Sequence, residues 1–396
     1  MKNMAHIRSA LLRLKLETTT TGSVTLGKRE PAKVTSTGRS RYYAPELDTL
    51  RFGAFLAVFI SHVFPSNAED LVAKGLSPPL AMVIGRIVQA GSFGVDLFFC
   101  LSAFLITRLI LIEIQQTGVL NVRAFYIRRI LRIWPLYIVA VVGIFVVLPI
   151  FGVGEFSESR VAAFLLFSGN WWVASGYDGG LASHLWSISV EEHFYLVWPI
   201  LIILLGWRRI GILAIAFILI SSVSRIAADI LHASPEMRWM NTFLRLEPLA
   251  VGAFLAHKLP PDFELPASAR LGFALVGAAI PPVCLMVFAL NTGWDVVTYP
   301  TAALACGLIL VAVLQPSGGG FLANPATVYL GKISYGLYVI HPLAIYFCAQ
   351  YEFSRGVMPV VTLAVTIIGA CISYRVIEKP FLQIKDRRAK VLSRPV

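Results

Sequence analysis

Charge is scarce in this chain. Of its 396 residues only 14% are Asp, Glu, Lys or Arg, and 57% are hydrophobic. A soluble domain carries about a quarter charged residues, so an ordinary soluble enzyme is excluded. A mean hydropathy of +0.73 excludes a disordered chain, which needs low hydrophobicity and high charge. Cysteine is sparse as well: the five are Cys100, Cys284, Cys306, Cys348 and Cys371. A secreted disulfide scaffold is therefore excluded. All five lie in apolar stretches and no two form a C-x-x-C pair, so no metal site is expected. There is no G-x-x-x-x-G-K-[ST] loop, no G-x-S-x-G elbow and no H-E-x-x-H. Gly331-Lys332-Ile333-Ser334-Tyr335-Gly336 has the wrong spacing for an elbow. A serine-nucleophile acyl enzyme of that kind is thereby disfavoured. No repeat of fixed period is visible, and residues 1–41 have no apolar core of a cleavable signal.

What the chain has is long apolar runs. A membrane-spanning helix takes about 20 apolar residues. Ten such spans are expected, near 46–66, 92–113, 133–151, 187–206, 209–229, 242–258, 270–290, 297–315, 333–351 and 356–377. The fold class is all-α, a polytopic membrane helix bundle. Lys+Arg exceed Asp+Glu by 34 to 22, and this excess is topological rather than a signal for nucleic acid. Arg123, Arg128, Arg129 and Arg132 lie between spans two and three, and Arg208 and Arg209 between four and five. With the basic tails these fall on one side, which predicts both termini in the cytoplasm. The expected organisation is a disordered basic cytoplasmic tail over 1–41, a transmembrane domain over 42–380 and a short basic tail over 381–396. The composition of 1–41 also loosely resembles an organellar transit peptide.

Ionisable residues inside a bilayer are costly, so each is a functional candidate. The first span reads Leu47-Asp48-Thr49-Leu50-Arg51, then an apolar run to Ser61-His62. Arg51 and His62 share one helical stripe, separated by about 16 Å along the axis. A packed histidine with a snorkelling arginine is the bland alternative. Asp96 sits in the second span, and the fourth opens His184-Leu185-Trp186-Ser187 and continues to Glu191-Glu192-His193. His62, Asp96, His184 and Glu191 are expected together in the outer half of the bilayer. Such a set suits general acid–base chemistry, or structural pairing, or a proton or solute pathway. Glu191 and Glu192 are adjacent and cannot both face one cavity. Arg128 and Arg132 share a helix face from which Arg129 is displaced by about 100°. Arginine forks suit phosphate, though positive loops also simply stay inside or bind anionic lipid. His341 lies near mid-span and precedes Pro342, whose position leaves a backbone carbonyl without its helical donor. Aromatics Trp171, Trp172 and Tyr177 mark the outer loop 152–186.

Together these blocks resemble the acyltransferase-3 family of integral membrane O-acyltransferases. They are Leu47-Asp48-Thr49-Leu50-Arg51 with His62, Phe93-Gly94-Val95-Asp96, and Phe125-Tyr126 with Arg128, Arg129, Arg132, Pro135 and Tyr137. Next come His184 to Pro199, Leu330-Gly331 with Ser334, Tyr335, Gly336, Tyr338 and His341, and Glu378-Lys379-Pro380. They run in family order through nearly the whole chain. Ala103 stands where the family usually has glycine, and His193 where glutamine is commoner.

The resemblance implies the acyltransferase-3 fold in a bacterial inner membrane, surrounded by lipid. It implies acetyl transfer from cytosolic acyl-CoA, a co-substrate and not a resident cofactor, to a hydroxyl of a carbohydrate such as a polysaccharide, lipopolysaccharide or oligosaccharide. On that basis Arg51, Arg128, Arg129 and Arg132 bind the donor. His62 is the general base, oriented by Asp96 or Glu191. Asp48, His184, Trp186, Ser187, Tyr335 and His341 line the site. Covalent acylation of a protein residue stays open at this point. The competing function is a glycan transporter or flippase, which would also bury ionisable residues but predicts internal repeats.

Overall fold

The computed structural model describes residues 44–260, 263–288, 295–314, 324–354 and 356–388. The expected tail 1–41 and the end of the chain after residue 388 lie outside the described residues. Among the described residues every element is helical. The helices that matter here are α1 Pro45–Val63, α2 Pro78–Ala90, α3 Gly94–Thr117, α4 Val122–Val142, α5 Trp186–Leu205, α6 Ile210–Ile230 and α7 Pro235–Met240. They continue with α8 Leu246–Lys258, α9 Ala267–Phe288, α10 Asp295–Val313, α11 Pro325–Lys332, α12 Ser334–Cys348 and α13 Val357–Ser373.

A helix stands at each of the ten expected span positions, and seven helical stretches of the described residues are long and apolar enough to cross a membrane. The three positions outside that set hold α1, α8 and α12, the shorter or more charged ones. The chain is thus a multi-pass membrane protein. Its outward surface agrees: Ile212, Ile215, Leu219, Val223, Ile226 and Ile230 recur every three or four residues along α6 and are all exposed. An apolar stripe of that length facing outward matches lipid, not water.

Local chemistry sets the helix ends. Pro45 opens α1 with Glu46 and Asp48 in its first turn, where the positive end of the helix dipole favours acid. Asn121 caps α4 by accepting the Ala124 amide at 2.9 Å, and Gly118 ends α3 with φ +77°. α3 is the axis of the bundle, packed along α8, α1 and α10. Two close approaches depend on the absence of a side chain. A Cβ on Gly252 of α8 would lie 2.1 Å from the Cys100 carbonyl oxygen of α3, and one on Gly331 of α11 would lie 1.8 Å from the Asp48 carbonyl oxygen of α1. Ala103 is fully buried within α3.

The charges that interrupt spans five and six neutralise one another. Arg225 of α6 pairs with Glu247 of α8 at 3.2 Å, and Arg245 pairs with Asp96 of α3 at 2.7 Å. Each of the four is at most 2% exposed as a side chain. A buried charge persists only when so paired.

Candidate active site

Two cavities enter the bundle from opposite ends of α1. The larger, about 610 Å³, opens where α1 ends and is lined by His62, Arg86, Ser183, His184, Trp186 and Trp239 among others. The smaller, about 90 Å³, lies toward the start of α1 and is lined by Arg51, Arg129, Arg132, Ser187, Glu191 and Tyr335 among others. Val95 and Tyr338 line both, so one layer of side chains separates them. The Tyr338 hydroxyl donates to the His184 carbonyl at 2.9 Å and meets the Ser187 hydroxyl at 2.8 Å. The shared stripe expected for Arg51 and His62 therefore joins one cavity to the other.

His62 is the exposed imidazole of the large cavity. Its Nδ1 lies 3.0 Å from Nε2 of His341, a side chain with no exposure, 279 residues away in sequence. Hydrogen bonding then assigns the protons. His341 Nδ1 is 2.6 Å from the Tyr338 carbonyl oxygen, which can only accept, so Nδ1 carries the proton. In neutral His341 the Nε2 is consequently an acceptor, and His62 must donate from Nδ1. The free lone pair of neutral His62 is left on Nε2. Pro342 is the origin of this chain. Proline has no N–H, so the Tyr338 carbonyl four residues back lacks its helical donor, and His341 Nδ1 supplies one. His184 stands beside the pair, its ring centroid 5.5 Å from that of His341 and its Nε2 donating to the Val339 carbonyl at 3.2 Å.

The expected partners of His62 are elsewhere. Asp96 is engaged by Arg245, and Glu191 accepts from the Tyr195 hydroxyl at 3.0 Å within the small cavity. Neither has a hydrogen bond to His62; the side chain hydrogen-bonded to it is His341. Glu191 also corrects the expected clustering in the outer half, because α5 carries it away from His184 toward Arg51. Glu192 turns aside and accepts from the Trp134 indole at 3.2 Å.

The arginine cluster divides differently from its helical phase. Arg128 is buried against Glu113 at 3.0 Å, and Glu113 also accepts the Asn121 amide at 2.9 Å. This guanidinium clamps the start of α4 onto α3 and does not line the small cavity, which corrects its expected place at the donor. Arg129 and Arg132 do line it, with Arg51, and neither forms an ion pair among the described residues. Arg51 has the carboxylate of Asp48 at 3.5 Å. Ser187 and Tyr335 line the small cavity, and Trp186 and His184 the large one. The substituted His193 faces Thr242 at 2.8 Å, away from both cavities.

Sequence reasoning missed Trp239 and Tyr299 in the wall of the large cavity. Each stands at the end of a span, where an aromatic residue reads equally well as an interface anchor. Of the aromatics in the outer loop 152–186, Trp172 stacks on Tyr177 at 4.6 Å and Trp171 packs on Phe243, and none of the three enters the wall.

The acyltransferase domain of the acyltransferase-3 family matches residues 45–377. The chain belongs to that family. A protein of Staphylococcus aureus (strain COL) named as an O-acetyltransferase is 30% identical over 368 residues, covering 86% of this chain and 57% of its own length. O-acetyltransferase OatA of Staphylococcus aureus (strain NCTC 8325 / PS 47) is 28% identical over 371 residues, covering 85% of this chain and 57% of its own length. The chain thus spans a little over half the length of these relatives. No solved structure matches it.

Proposed function

We propose that this chain is a membrane O-acetyltransferase that moves an acetyl group from acetyl-CoA to a hydroxyl of a carbohydrate. The observation that carries this is the pair of unequal cavities on the two sides of one layer of side chains, the larger lined by an imidazole with a free Nε2. The small cavity is narrow, cationic and bounded by Ser187 and Tyr335, which suits a thin chain behind a phosphorylated head. Arg51, Arg129 and Arg132 match phosphate in fork geometry and charge. The large cavity is wide enough for a ring-shaped acceptor. In this arrangement the donor comes from the cytosol and the acceptor from the other side of the inner membrane, with both termini in the cytosol.

The step is direct transfer. His62 Nε2 takes the proton of the acceptor hydroxyl as its oxygen attacks the thioester carbonyl. The carbon–sulfur bond then breaks, and the thiolate takes the proton back from His62. An ester and the free thiol are the products, and His62 returns to its starting tautomer. The thioester reaches His62 past Tyr338, so this side chain must yield as the donor binds.

Purified full-length chain in nanodiscs, given radiolabelled acetyl-CoA and the oligosaccharide pool released by mild acid from the source organism's envelope, tests the reading. Label appearing on saccharide with matching coenzyme A release supports it. Coenzyme A release absent with folded protein sinks it and makes solute flux the next measurement. Acid quenching with donor alone is expected to leave the protein unlabelled. Stoichiometric label on the chain would replace direct transfer by an acyl-enzyme.

The arginines separate by their two kinds of burial. Arg129→Ala is expected to raise the donor KM about tenfold or more, the loss of charge-assisted bonds, with little change in thermal unfolding. Arg128→Ala strands Glu113 in the interior and is expected to cost about 3–5 kcal/mol of stability with the donor KM unchanged. Donor titrations and unfolding midpoints of the two variants check both outcomes.

A further inference from the structure

The buried ion pairs stand against the wall of the large cavity, and they have no part in the chemistry at His62. The Arg245 guanidinium, paired with Asp96, lies 4.3 Å from the ring centroid of Trp239 and 5.0 Å from that of Tyr299. Arg225, paired with Glu247, lies 4.0 Å from the ring centroid of Tyr299. Cations held this close to ring faces, away from water, are at the strong end of such contacts. Neighbouring rings pack on Trp239, Tyr299 among them at 5.6 Å with an interplanar angle of 55°. Phe93 meets Trp239 at 5.8 Å with an interplanar angle of 68°, and Trp186 at 6.0 Å with 63°. Trp239 is nonetheless only half-buried and lines the cavity. With a guanidinium over its ring on the interior side, Trp239 fronts the cavity with the part that stays exposed.

Polar groups line the same cavity. Arg86 and Gln89 of α2 are among them, joined at 2.7 Å, and Arg86 has no carboxylate partner among the described residues. Ser92, Ser183 and Asp295 add further hydrogen-bonding groups. Ser92 already donates to the Gln89 carbonyl at 2.8 Å and Asp295 pairs with Arg238 at 3.3 Å, while the Arg86 fork keeps further N–H donors for the oxygens of an acceptor. A saccharide ring has the complementary build: an apolar face of C–H groups for stacking and an edge of hydroxyls for the fork of Arg86.

We infer that Trp239, backed by the Asp96–Arg245 pair, is the stacking platform for the sugar ring of the acceptor, with Arg86 holding its hydroxyl edge. This rests on the transferase reading. Asp96 thereby acts as a positioning residue for the acceptor wall.

The test uses the same full-length chain, radiolabelled acetyl-CoA and envelope oligosaccharide pool, with the pool titrated as total hexose. Trp239→Ala is expected to raise the KM for the pool at least about tenfold with the donor KM unmoved. Trp239→Phe retains a ring and is expected to stay within about threefold of wild type. Arg86→Ala, a change at a half-buried cavity residue, is expected to raise the same KM and leave the donor's alone. Wild-type KM for the pool in both Trp239→Ala and Arg86→Ala overturns the platform and leaves the transferase reading standing. A wild-type chain that labels no saccharide removes the carbohydrate reading and the platform with it.

Discussion

Replacing His62 by alanine is expected to lower the turnover of acetyl transfer by about 10²–10⁴-fold, the range a positioned general base contributes. The KM for acetyl-CoA should change little, because the donor's charged end is held by arginines one helix length away. Arg51 and His62 are eleven residues apart on α1, about 16 Å along its axis. Stability should also be nearly unchanged. His62 is exposed to the cavity, one residue before α1 ends, and its removal opens no void in packed core. A steady-state comparison with matched unfolding midpoints checks this. Full turnover in His62→Ala would mean that another group takes the acceptor's proton, and His184 would be the next to replace.

Much of this arrangement is legible in the amino-acid sequence. Hydropathy alone places the chain in a membrane, since no soluble core needs apolar runs of this length. The stripe through Arg51 and His62 follows from helical geometry, because a straight helix preserves phase over three turns. In the structure it runs from one cavity to the other. Pro342 likewise announces a free carbonyl at Tyr338 from sequence alone. Phase within one helix says nothing about which neighbour claims a side chain, and there the expectations diverge. Arg128 and Arg132 share a face of α4, yet Glu113 takes Arg128 and leaves Arg129 with Arg132 in the cavity. Asp96 has the right depth to orient His62, but Arg245, 149 residues away, claims it. Spacing between distant helices is set by packing such as that of Gly252 on Cys100, and no local pattern records it.

The partner that His62 does have gives the second large effect. His341→Ala is expected to lower turnover about tenfold to a hundredfold while both KM values stay near wild type. Without an acceptor opposite Nδ1, neutral His62 distributes between its two tautomers, and only the form with the lone pair on Nε2 serves as base. Alanine also empties a fully buried site and removes the donor to the Tyr338 carbonyl, so some stability will be lost. His341→Gln separates the two effects. Its amide oxygen can reach the place of Nε2 and accept from His62, and much of the turnover should return. Nitrogen-15 NMR of histidine-labelled protein reads the tautomer directly, with the His62 signals assigned by their loss in His62→Ala. Wild type is expected to carry the His62 proton on Nδ1, and His341→Ala to show both forms. If His341→Ala lowered turnover with the His62 tautomer unchanged, His341 would be a packing residue and the orientation of the base would come from the backbone of α1 alone.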